Sequence, residues 1–90
     1  MQKIYKLNLS EQFKKEFRKL DKHTQKIIRA WIIKNLEDCE NPRWQGKSLK
    51  GNKIGLWRYR IGDYRLVVEI HDKELVILAL SVGHRREVYR

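Results

Sequence analysis

The hydrophobic pattern predicts an α+β domain: a small antiparallel β-sheet of about four strands with two N-terminal helices packed on one of its faces. Three observations carry this prediction. Apolar residues recur at helical spacing from Leu9 to Leu36, they alternate with a period of two between residues 54 and 82, and the links between the alternating runs are only two or three residues long. One short strand and two helices thus precede three strands, an order that lets the helices cover one side of the sheet and leaves the other side for function.

In chain order, Gln2 to Leu7 alternates polar and apolar residues around Ile4, which suits a short half-buried strand and is equally compatible with a basic tail. Ser10 offers an N-cap, and Leu9, Phe13, Phe17 and Leu20 form the apolar side of a helix whose other side carries Lys14, Lys15, Arg18 and Lys19. Asp21 is the corresponding cap for a second helix, with Ile27, Ile28, Trp31, Ile32 and Leu36 as its stripe. The periodicity stops after Cys39. ENPRWQGKSLKGNK, residues 40–53, reads as a loop because it holds Pro42, Gly46, Gly51 and a recurring basic residue. Strands are predicted near 54–61, 64–71 and 74–82, with turns at Gly62-Asp63 and His71-Asp72-Lys73.

The 90 residues suffice for one domain, residues 1–90, with a modest core. A formal charge of +10 favours an anionic partner, nucleic acid before an acidic protein or a membrane surface. Cys39 is the single cysteine, so no intrachain disulfide forms and a reducing compartment is the natural one. No apolar run is long enough for a signal peptide or a membrane span, which makes a cytoplasmic protein the default expectation.

Residues two apart along a strand share a face, so Arg58 and Arg60 point together while Trp57, Tyr59 and Ile61 point into the core. On the next strand Tyr64, Leu66, Val68 and Ile70 form the apolar set, and Arg65 lies opposite them with Val67 and Glu69. Across the tight turn Arg65 comes close to Arg60 or Arg58. Like charges so placed repel, and a bound phosphate relieves them. The same alternation is also what a solvated basic sheet face looks like. The closing segment, His84 to Arg90, brings Arg85, Arg86 and Tyr89 to the end of the last strand, either to complete the arginine face or, for Tyr89, to pin the chain end onto the core.

WRYRIGDYRLVVEI, residues 57–70, followed by SVGHRREVYR, residues 81–90, resembles the RelE branch of the RelE/ParE toxin superfamily, and the likeness extends over nearly the whole chain. The resemblance implies a toxin of a type II toxin–antitoxin pair that enters the ribosomal A site and cleaves messenger RNA there, without a metal or other cofactor, by attack of the message's own 2′-OH on the neighbouring phosphate. It implies three partners: the ribosome, the mRNA and a RelB-like antitoxin that covers the basic face. Carried over by position, its catalytic residues fall on Arg58, Arg60, Arg65, Arg85 and Tyr89. The best-known members have lysines at the first two of these positions, so proton-transfer roles given to lysine do not transfer.

Arginine suits the stabilising part of such chemistry, because its planar fork pairs with phosphate oxygens and strengthens as charge builds in the transition state. It is a poor general base, its pKa lying above about 12. Tyr89 is the candidate for proton transfer, or alternatively for stacking on a base. Arg85 is the candidate for neutralising the leaving oxygen. Lys47, Lys50 and Lys53 of the loop supply sequence-independent attraction to RNA phosphates, and His84 and Arg86 are further candidates for RNA contact. No His, Cys, Asp or Glu spacing points to a metal site. Two other functions fit the residues: a ParE-like inhibitor of DNA gyrase, which shares the hairpin, and a noncatalytic RNA-binding module.

Overall fold

The computed structural model describes residues 4–49 and 55–84. Its elements are β1 (Lys6–Leu9), α1 (Glu11–Arg18), α2 (Lys22–Asn35), β2 (Lys47–Ser48), β3 (Leu56–Ile61), β4 (Tyr64–His71) and β5 (Val76–His84). Together the strands make one five-stranded sheet in the order β1-β5-β4-β3-β2. The α+β class is as expected, and both helix caps are formed: the Ser10 hydroxyl accepts from Phe13 N at 3.0 Å, and the Asp21 carboxylate from Thr24 N at 3.1 Å.

Three expectations need correction. The sheet is mixed, because β1 runs parallel to β5, and it has five strands. Alternation reports which residues share a face but not the direction of a partner; with the helix hairpin intervening, β1 pairs along the outer edge of β5, where Lys6 N donates to Leu75 O at 2.8 Å and Ser10 N to Ala79 O at 2.9 Å. The fifth strand comes from the basic loop, whose Lys47 and Ser48 pair with Arg58 and Trp57. Ile27 is not in the core. It is 49% exposed, since the inward stripe of α2 runs along Ile28, Ile32 and Leu36 at intervals of four, and Ile27 lies one helical step off it.

The core fills one side of the sheet. Phe13, Ile28, Ile32 and Leu36 from the helices pack on Tyr59, Ile61, Leu66, Val68, Ile70, Ile77, Ala79 and Val82. Ile28, Leu66, Val68 and Ile77 are completely excluded from solvent, each worth roughly 1.5–3 kcal/mol of burial. One irregularity interrupts this order. Val68 pairs with Ala79 but Val67 with Ser81, so β5 holds one extra residue, Leu80. The bulge reverses the alternation, and the core positions of β5 pass from Ile77 and Ala79 to Val82. Helix α1 takes up backbone groups there: Ser10 Oγ donates to Leu80 O at 3.1 Å, and the Glu16 carboxylate accepts from Val82 N at 3.0 Å.

Candidate functional site

The register of the second hairpin decides which cations meet. Arg60 stands directly across from Arg65, Arg58 across from Val67, and Lys47 of β2 across from Arg58. Opposed residues in adjacent strands share a face, so Lys47, Arg58, Arg60 and Arg65 form one cationic strip over three strands, on the sheet face opposite Tyr59, Leu66 and Val68. Val67, at its centre, is buried although it faces away from the core. The four cations line an open groove of ≈ 310 Å³ together with Trp31, Gln45 and Gly46. Arg60 is exposed, its Nε within 3.5 Å of Gly62 O, while Arg65 is half-buried.

The loop that carries Lys47 is anchored along its length. Trp57 Nε1 donates to Gln45 O at 2.6 Å, and the buried Tyr59 hydroxyl donates to Pro42 O. The Tyr59 phenol is held well above its ordinary pKa, chiefly by burial, and stays protonated. Gly46 has φ +81°, and a Cβ there would stand 2.2 Å from Arg58 O, 2.7 Å from Trp57 Nε1 and 2.8 Å from Tyr59 Cδ1. Only glycine lets the chain pass this close to β3 and then place Lys47 opposite Arg58. At the other end of the loop the Arg43 guanidinium forms a two-point pair with Asp72 (2.9 and 3.0 Å) and lies 5.9 Å from the Trp57 ring centre, and Tyr5 Oη donates to the same carboxylate at 2.7 Å. The hydrogen bond to Asp72 raises the pKa of Tyr5, and the same carboxylate raises that of Arg43. Arg43 is thus a structural clasp within the basic loop.

Of the residues singled out in the sequence, Arg58, Arg60, Arg65 and Lys47 come together. His84 does not join them: it pairs with Tyr64 in register, on the opposite face from Arg65, and its ring meets Tyr64 edge-on at 5.7 Å. Gly83 is the residue across from Arg65. Lys50, Lys53, Arg85, Arg86 and Tyr89 lie outside the described residues. Trp31, Gln45 and Gly46 are lining residues that the sequence did not single out for the site. Helical periodicity marks Trp31 as core, and the close approach of Gly46 depends on a positive φ that no spacing shows. Among the described residues no three His, Cys, Asp or Glu side chains gather as a metal cluster, and no helix is long and apolar enough to cross a membrane. Guanidinium and ammonium donors on one face can pair with an anion that has several oxygens, such as a phosphodiester.

Comparison with known proteins gives the groove a context. A family model described as the ParE toxin of the type II toxin–antitoxin system, parDE, matches residues 7–89. The chain is 34% identical over 91 residues to the mRNA interferase toxin RelE of Escherichia coli K12, covering 94% of this chain and 90% of that protein. Among solved structures, the toxin–antitoxin complex RelBE2 of Mycobacterium tuberculosis is similar in fold, with a TM-score of 0.82 at 24% identity over 93% of this chain and 94% of that one. The intact E. coli RelBE toxin–antitoxin complex has a TM-score of 0.73 at 28% identity, covering 89% and 95%.

Proposed function

The chain belongs to the family of type II toxin–antitoxin toxins that includes ParE and RelE, and from that premise we propose that it is an mRNA interferase, a ribosome-dependent endoribonuclease that cleaves messenger RNA in the A site. The observation that carries the reading is the strip of Lys47, Arg58, Arg60 and Arg65 on one sheet face. The relative that matches over 90% of its own length is an mRNA interferase.

In this reading the protein is a single domain, residues 1–90, acting in the cytoplasm and restrained by a RelB-like antitoxin that covers the cationic face. The scissile phosphate lies over Arg58, Arg60 and Arg65. Attack by the message's 2′-OH places additional negative charge on the phosphoryl oxygens, and guanidinium donors fixed on strands bind that charge more strongly than the ground state. Arginine stays protonated, so the proton of the 2′-OH goes elsewhere, and Tyr89, as the phenolate that surrounding cations favour, is assigned to take it. Arg85 neutralises the departing 5′-oxygen. Lys47, with Lys50, Lys53 and Arg86, makes sequence-independent contacts to mRNA and ribosomal RNA, while His84, on the opposite face, has no part in the strip.

The test is to map the 5′ ends of messages after induction, with and without translating ribosomes, for the wild type, Arg65→Ala, Arg85→Ala and Tyr89→Phe. Ribosome-dependent cuts that fall by about 10²-fold or more in each variant are the expected result, the loss typical of one transition-state donor. Uncut messages combined with a supercoiling defect support instead the second reading, a ParE-like gyrase inhibitor, which the description of the matching family model favours.

A further inference from the structure

The groove holds more than phosphate ligands. Trp31 is half-buried on α2, its indole tilted at 52° against the Tyr59 ring with ring centres 5.2 Å apart. It also lines the same groove as the four cations. A flat apolar ring beside a cationic strip is the pairing that single-stranded nucleic acids require, since each nucleotide offers a charged backbone and a stacking base.

Gln45 stands beside it. Its Nε2 donates to Asn35 Oδ1, and Asn35 Nδ2 donates to Trp31 O at 2.9 Å, so the amide is braced against the helix that carries the indole. Its backbone is held by Trp57 Nε1. A carboxamide has two donors and one acceptor oxygen, and the bond to Asn35 uses one donor. The remaining donor and the oxygen match the hydrogen-bonding edge of a nucleobase. The ring is seated on a helix and the amide is tied to that helix through Asn35, which lowers the ordering cost of binding.

We infer that Trp31 and Gln45 form a nucleobase subsite next to the cationic strip, with Trp31 as the stacking surface and Gln45 as the group that reads the base edge. The inference rests on the endoribonuclease reading of the groove and adds to it the wall that selects among RNA sequences.

Binding of all-2′-deoxy trinucleotides, which cannot be cleaved, separates the parts. Each trinucleotide is compared with a counterpart whose central nucleotide is abasic, by titration calorimetry at low salt. For the wild type the intact ligand is expected to bind about tenfold more tightly than the abasic one, the size of one stacked base. Trp31→Leu erases that ratio and leaves the abasic affinity in place, while Trp31→Phe keeps most of it. Gln45→Ala keeps stacking but flattens the ranking of central A, C, G and U. Circular dichroism melting establishes that each variant is folded, and Gln45→Ala, which leaves the packing of Trp31 on Tyr59 in place, carries the test if Trp31→Leu is not. An undiminished base dependence in Trp31→Leu, or in its absence an unchanged base ranking in Gln45→Ala, overturns the inference. Loss of cleavage in cells with base-dependent binding intact overturns only the nuclease reading. If neither ligand binds the wild type, the subsite inference falls, while the nuclease reading stands or falls on the ribosome-dependent cuts.

Discussion

Replacing Arg60 by glutamine is expected to stabilise the fold while disabling the groove. Arg60 is directly opposed to Arg65, and Arg58, itself opposite Lys47, lies two residues along the same face. Like charges directly across a ladder destabilise by roughly 0.2–1 kcal/mol per pair. Arg60 is exposed, so water screening sets the upper part of that range as a ceiling. Its contact with Gly62 O, at 3.5 Å, is too long to offset the relief. With about 4–8 °C of melting temperature per kcal/mol for a domain of this size, Arg60→Gln should melt roughly 1–8 °C above the wild type in low salt. At about 1 M salt the screening length falls to roughly 3 Å and the difference should shrink toward zero. Ribosome-dependent cleavage should meanwhile drop by about 10²-fold. Added phosphate should raise the melting temperature of the wild type more than that of the variant, because only the complete strip gains binding energy on folding. Calorimetric melting of both proteins at two salt concentrations, and with and without phosphate, reads the three stability effects, and 5′-end mapping reads the cleavage. A variant that melts at or below the wild type in low salt, or a gain that persists in high salt, would refute the view that the strip is held together against its own repulsion.

Gly46→Ala is expected to cost about 2–5 kcal/mol, from the left-handed backbone and the overpacking against Arg58 O, read as a fall in the urea midpoint. Gly62→Ala, at φ +60° with open space around it, should cost only the backbone part, roughly 1–2 kcal/mol. The folded-state pKa values of Tyr5 and Tyr59 are raised, so their contribution is complete below the ordinary value of 10.0 and is lost as pH climbs above it. Stability should therefore decline in alkali, and the decline should be shallower in Tyr5→Phe when urea melts are compared between pH 8 and 11. Glu16→Ala leaves the Val82 N–H without its acceptor and should cost about 1–3 kcal/mol, whereas Glu16→Gln, which retains a side-chain oxygen, should cost less.

Much of this molecule is legible in the sequence because its local rules agree. Ser10 and Asp21 cap the helices that follow them, and Gly62-Asp63 turns the hairpin that sets Arg60 against Arg65. What was not legible depends on partners distant along the chain. The parallel pairing of β1 with β5 joins residues at opposite ends of the sequence. The two-residue β2 exists because Gly46 lets the loop close on β3, and neither Lys47 nor Ser48 carries a strand pattern of its own. Trp31 satisfies the helical periodicity of a core residue and is one, through Tyr59, yet it also lines the groove; periodicity assigns a side chain to one face and misses a ring large enough to serve two.

The bulge at Leu80 has the widest consequence. Strict alternation from Ile77 and Ala79 would put Ser81 and Gly83 on the helix side and turn Val82 and His84 toward the arginines. The extra residue reverses this, so that Val82 enters the core and His84 shares a face with Tyr64. A bulge leaves backbone groups unpaired in the ladder, and here α1 supplies them with partners: Ser10 for Leu80 O, and Glu16, 66 residues away, for Val82 N. The facing of the last strand is therefore set partly by a helix that never touches the groove. That is why the position of His84 relative to the cationic strip could not be read from the β5 sequence alone.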